Sequence, residues 1–260
     1  TVRANRRLGA MTISIELPVR PTVVAITQCA MEMEAAPLRA ALHPCAGSDT
    51  VTELVVGMEG HAQQRFALGA LDGHDVLLVK SGIGLANSAS ATARALTLVD
   101  TPIIIAAGTT GGLAADINVS NIAAGTSTIY SQADATAFGY AMGQVPQMPE
   151  DYRSSDETVA RVALLAKSDT LTVMTGRVLS SDSFITAPIA QPMREKFPDA
   201  IGADMETCAM AEVAWSSGVD WVSLRAVSDL CGPAADQDFH MDSEKAAGIS
   251  ALAVRTFLTL

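Results

Sequence analysis

Aromatic residues are scarce in this 260-residue sequence: two Trp, three Tyr and six Phe amount to 4% of it. The core must therefore be built from Ala, Val, Ile and Leu, and an apolar content of 49% suits helices packed on a parallel sheet better than a sandwich. Basic residues are also few. Seventeen Lys and Arg stand against 28 Asp and Glu, giving a net charge of -11 and a pI near 4.7. The summed field repels polyanions, so nucleic acid and anionic membrane are excluded as partners and a small molecule is expected. Four cysteines, Cys29, Cys45, Cys208 and Cys231, form no Cys-x-x-Cys pair, which argues against a disulfide framework or a zinc site and reads as reduced thiols. His43, His61, His74 and His240 have no partner at ligand spacing, so neither metal nor other cofactor is expected. No apolar run approaches the roughly 20 residues that span a bilayer, and a soluble, cytoplasmic protein is expected.

What is present alternates between strand and helix. Thr22 to Thr27 reads as a strand and Met31 to Leu42 as the helix after it. Arg65 to Leu71 and Asp75 to Lys80 form a hairpin about Asp72-Gly73, with Val51 to Gly57 as a third pairing candidate. Leu85 to Leu98 is helical, and Pro102 to Ala107 is an apolar strand buried on both faces. A turn-rich block follows at Gly108 to Gly112, then strand Ile122 to Tyr130 and a long aperiodic loop from Ser131 to Tyr152. Helices at 157–167, 188–196, 206–217 and 243–258 then alternate with strands at 173–179, 201–204 and 221–227. This order predicts a single doubly wound α/β domain over residues 21–260, with a central mixed, mostly parallel twisted sheet flanked by helices. Residues 1–20, with Arg3, Arg6 and Arg7 and no apolar signal core, read as an N-terminal tail, and Met11 is a candidate start.

In such a fold ligands bind beyond the carboxyl ends of the strands. The residues placed there are polar: Glu32 and Glu34, Ser81 to Gly84, Gly108 to Gly112, Ser180 to Ser183, Asp204, Glu206, Ser228 and Asp229. Each also has a plain structural reading. Glu34 fits a helix N-terminus, where the macrodipole favours acid. Ser228-Asp229 fits a capped turn, Glu206 a helix cap and Met205 or Phe184 core packing.

Seven stretches in order change the balance: Ala30-Met-Glu-Met-Glu34, Ser81-Gly-Ile-Gly84, Ala107-Gly-Thr-Thr-Gly-Gly-Leu113, Ala133-Asp-Ala-Thr-Ala-Phe-Gly-Tyr140, Asp182-Ser-Phe-Ile185, Asp204-Met-Glu206 and Ala226-Val-Ser-Asp229. From about Thr22 to the C-terminus the chain resembles the methylthioadenosine/S-adenosylhomocysteine nucleosidases of the purine nucleoside phosphorylase superfamily. The resemblance implies a nucleoside phosphorylase-like fold, no cofactor, a place in methionine salvage and hydrolysis of the N-glycosidic bond of 5′-substituted adenine nucleosides. It casts Glu34 as the base that activates water. Asp229 becomes the proton donor to N7 of the purine, held protonated by its surroundings and oriented by Ser228, with Arg225 as a supporting charge. Glu206 would hold the ribose hydroxyls, with Met205 under the sugar and Met31 beside the substrate. Phe184 would stack on the base and Ile185 read its edge through the backbone, in a loop that includes Asp182. Asp204 departs from the pattern, since many relatives carry Glu there. Phe239 falls where relatives place an aromatic lid.

Ser81 and Gly84 lie in one glycine-rich turn and Gly108 to Gly112 in another, where glycine permits close approach to a ligand. Neither is a dinucleotide or P-loop fingerprint, because Asn87 stands where the former needs its third glycine and no Gly-Lys-Ser/Thr follows. Glu32 and Glu34 would repel phosphate, which favours hydrolysis over phosphorolysis. Phe138 and Tyr140 resemble the segment that relatives lend to the neighbouring active site, implying a homodimer. The rival readings are a phosphorylase, an aminodeoxyfutalosine-type nucleosidase, and a nucleoside-binding protein of the same fold without the chemistry.

Overall fold

A computed structural model describes residues 7–8, 11–12, 19–233 and 235–260, without the side chains of 7–8, 11–12 and 236–242. A two-residue antiparallel ladder joins β1 (Arg7–Leu8) to β2 (Met11–Thr12). The remaining strands make one eleven-stranded sheet.

The sheet is built outward from β3 (Ala25–Cys29), which is buried along its whole length. It pairs in parallel with β6 (His74–Lys80) on one side and β7 (Ile103–Ala106) on the other. Beyond β6 lie β5 (Gln64–Leu71) and the edge strand β4 (Thr52–Val56), both antiparallel. The hairpin turn has Asp72 at φ 49 and Gly73 at φ 86, the two positive values that a two-residue turn of matching twist requires.

On the other side, β7 pairs in parallel with β13 (Asp220–Asp229), which pairs in parallel with β8 (Thr109–Gly112). Next come β12 (Ala200–Asp204), β11 (Val173–Ser180), β9 (Ile122–Tyr130) and the two-residue β10 (Tyr152–Arg153). The segment 109–112, whose Thr-Thr-Gly-Gly composition reads as a turn, is a strand. Gly111 and Gly112 pair with Ala203 and Gly202 of β12. Their missing side chains are the reason they fit: a Cβ on Gly111 would lie 2.4 Å from the Cys231 sulfur. Sheet pairing overrides the turn propensity of glycine there.

Helices cover both faces. On one, α1 (Glu32–Ala40), α3 (Asp156–Leu165) and α6 (Ala235–Leu258) bury Leu38, Val162 and Phe257 against Val222 and Leu224. On the other, α2 (Leu85–Leu98) and α5 (Thr207–Ser216) bury Ala91, Ala95, Met210 and Ala214 against Ile26, Ile104 and Trp221. Small side chains at these helix positions let backbones approach closely, in keeping with a core poor in aromatics. Helix α4 (Ala187–Lys196) closes a smaller cluster through Ala190 and Met193. The last helix starts at Ala235, eight residues before the predicted Ser243. No helix among the described residues is long and apolar enough to cross a membrane.

Candidate active site

The strand-to-helix turns after β3, β6, β11 and β12, together with β8 and the end of β13, converge at the carboxyl edge of the sheet. They enclose an open cleft lined by residues from all of them, the kind of concave site that takes a small ligand. Glu34, Glu206 and Asp229, 195 positions apart along the chain, all line it.

Glu34 occupies the first turn of α1 and is buried. Its Oε2 accepts from the N–H groups of Ala30 at 2.9 Å and Met31 at 3.0 Å, and its Oε1 from the N–H and hydroxyl of Thr109, both at 2.8 Å. The helix-terminus reading and the site reading of Glu34 thus coexist: capping fixes the carboxylate in the cleft. Gly108, at φ 120, lies against it, and a Cβ there would meet Glu34 Cδ at 2.4 Å. The close approach that glycine allows in this loop is to a carboxylate of the protein itself.

Asp204 ends β12, and Met205 and Glu206 form the turn into α5. Asp204 Oδ1 accepts from Ser180 Oγ at 2.6 Å and from the N–H groups of Glu206 at 3.1 Å and Thr207 at 3.0 Å, while Oδ2 takes the Thr207 hydroxyl. It therefore fixes the turn that carries Glu206. Glu206 Oε1 accepts from the Gly84 N–H at 2.8 Å. Gly84 supports Glu206 through its backbone and is absent from the lining of the cleft, as is Ser81, whose hydroxyl donates to the carbonyl oxygens of Gly82 at 2.8 Å and Cys29 at 3.2 Å. Asp182 accepts from the Leu85 N–H at 2.8 Å and pins the same loop.

Arg225, buried on β13, sits among three of these carboxylates. Its guanidinium lies 3.1 Å from Glu206, 3.3 Å from Asp204 and 3.8 Å from Glu34, and it donates to the Thr109 carbonyl at 3.0 Å. Arg225 meets these acids because its side chain and theirs converge where β13 passes α1 and the β12–α5 turn. Burial opposes its charge, yet the three carboxylates together hold its pKa above the ordinary value. One cation cannot neutralise three anions. Burial first, and then repulsion from Asp204 and Glu34, push Glu206 up to about 7 against the pull of Arg225 and the Gly84 N–H.

Asp229 closes β13. Its Oδ2 accepts from Ser228 Oγ at 3.0 Å and its Oδ1 from the Cys231 N–H at 3.0 Å. Met31, Met205, Phe184 and Ile185 line the cleft as well, with Ile185 buried and Phe184 43% exposed at the mouth. Phe138 and Tyr140 do not line it. Phe138 ends the Thr136–Phe138 turn and is 84% exposed, and Tyr140 follows it, half-buried. The side chain of Phe239 lies outside the described residues. Ile83, Thr109 and Thr110 lie in the strand-end stretches 81–84 and 108–112, without a role assigned to each, whereas sequence reasoning took Cys231 only as a reduced thiol and missed it as a lining residue.

The model of the phosphorylase superfamily matches residues 24–259. A 5′-methylthioadenosine/S-adenosylhomocysteine nucleosidase of Staphylococcus aureus is 36% identical over 199 residues, covering 76% of this chain and 87% of that protein. The crystal structure of a nucleosidase of the same name from Neisseria meningitidis, in complex with methylthio-immucillin-A, superposes with a TM-score of 0.80 at 30% identity, covering 91% of this chain and 99% of that one. The S-adenosylhomocysteine nucleosidase of Streptococcus pyogenes, in complex with 5-methylthiotubericidin, does so with a TM-score of 0.81 at 26% identity, covering 96% and 98%.

Proposed function

Because the chain belongs to the phosphorylase superfamily, among its 5′-methylthioadenosine/S-adenosylhomocysteine nucleosidases, we propose that Glu34, Glu206 and Asp229 share one reaction in the cleft they line. The enzyme is an N-glycosyl hydrolase, releasing adenine from 5′-substituted adenosines. The observation that carries the assignment of roles is the convergence of the three carboxylates on one cleft.

Glu34 takes a proton from water as the water oxygen bonds to the anomeric carbon. The bond from that carbon to the purine breaks with its electron pair going to the base, and Asp229 delivers a proton to N7, so that adenine leaves neutral. Both carboxyl groups are reset by solvent. Glu206 holds the ribose hydroxyls, an interaction that strengthens as positive charge grows on the sugar. Met205 and Met31 pack on the sugar, Phe184 stacks on the base and the Ile185 backbone reads its edge. Arg225 is the one Lys or Arg among the described lining residues, and three carboxylates already engage it. A phosphate nucleophile would meet net negative charge, which supports water as the attacking group.

The unit doing this spans residues 21–260 and works in the cytoplasm, in keeping with four free thiols. It acts as a homodimer, with Phe138 and Tyr140 reaching the neighbouring site; the exposure of Phe138 supports this. Light scattering should return twice the 27.0 kDa chain mass. The Glu34→Gln variant tests the roles: it should bind methylthioadenosine yet release adenine about a thousandfold more slowly. Undiminished turnover would remove Glu34 from the reaction.

A further inference from the structure

Cys231 has no place in the mechanism above, yet it lines the same cleft and is 1% exposed. Its φ of 52 is positive, a conformation in which a side chain is strained and which clusters at functional sites. The strain delivers two groups to one place. The backbone N–H donates to Asp229 Oδ1 at 3.0 Å. The thiol fills the space that Gly111 leaves open, where a single Cβ position is 2.4 Å from the sulfur and 3.3 Å from the same Oδ1. Burial first, and then the neighbouring Asp229 carboxyl, push the thiol up to about 12, so it stays an S–H donor near neutrality and is no nucleophile.

We propose that Cys231 is a positioning residue for the proton donor, its N–H and S–H together holding one oxygen of Asp229. This rests on the reading of Asp229 as the donor. On this arrangement, with the Cys231 N–H on Oδ1 and the thiol assigned to the same oxygen, the acid proton belongs to Oδ2, beside the Ser228 hydroxyl. Once that proton has passed to the purine, the carboxylate left behind keeps two donors on Oδ1. Their interaction is stronger with the anion than with the neutral acid, so it favours the transfer itself.

The test compares methylthioadenosine with a nitrophenyl ribofuranoside, whose leaving group departs as a stable anion and needs no proton. Cys231→Ala should lower kcat on methylthioadenosine about tenfold, leaving KM and nitrophenol release within about twofold of wild type. Cys231→Gly, which removes the thiol and the backbone strain together, should show the same split without loss of folding, and Cys231→Ser should restore most of the rate. A Cys231→Gly enzyme that cleaves both substrates at wild-type rates, or that loses both equally, overturns the proposal. Asp229→Asn separates the two layers. If it abolishes adenine release while Cys231→Gly leaves it untouched, only the role of Cys231 falls; if it releases adenine normally, the donor reading falls and the proposal with it.

Discussion

Two parts of the cleft are built differently. Around Arg225 the carboxylates are fixed by the fold: Glu34 accepts four hydrogen bonds, Asp204 four, and Glu206 is held by the Gly84 N–H and the guanidinium. At the mouth, Ile83 and Phe184 stand 49% and 43% exposed. On the proposed mechanism the interior holds the groups that meet a reacting atom, and preorganisation is what makes such groups effective. The mouth holds apolar surface that a ligand can cover. Charge chemistry is settled before substrate arrives, and apolar recognition is completed by it.

Removing the keystone of the interior should cost most. Arg225→Leu leaves three buried carboxylates without their cation, and urea unfolding should show a loss of about 3–5 kcal/mol. A loss below about 1 kcal/mol would mean the carboxylates are solvated rather than paired. Gly108→Ala is next. Its Cβ must displace the Glu34 carboxylate, and kcat should fall about a hundredfold while the fold survives, since displacement of a reacting group by an ångström is costly. At the mouth the effect should be smaller and of a different kind: Phe184→Ala should raise KM about tenfold through lost stacking, with kcat within about threefold. A kcat collapse there would erase the distinction between the two regions.

The smallest signal is a slope. Glu206 is raised in the folded protein from 4.5 to about 7, so the folded state binds the proton more tightly than the unfolded chain. Its contribution to stability is complete below pH 4.5 and is lost as pH rises through about 7. The melting temperature should therefore decline across that window in wild type and less steeply in Glu206→Gln.

The same contrast explains what was legible in the sequence. The hairpin about Asp72-Gly73, helix 85–98 and strand 122–130 follow from local period and turn chemistry, and they stand where pattern places them. Strand β8 escaped because its Thr and Gly residues obey partners on β12 and β13 rather than their own propensity. The acidic residues of the site could be located at strand ends, but not the role of Arg225. Its three partners come from α1, β12 and the turn into α5, and no local spacing encodes that meeting. Cys231 looked like any buried thiol because a positive φ on a non-glycine residue leaves no trace in composition. Phe138 and Tyr140 stand apart for another reason: the site predicted for them belongs to a second chain.

The most direct test of a carboxylate site that uses water is one turnover of methylthioadenosine in heavy-oxygen water with phosphate present. The account predicts free adenine and a methylthioribose carrying the heavy oxygen on its anomeric carbon. A sugar phosphate without the label would contradict it.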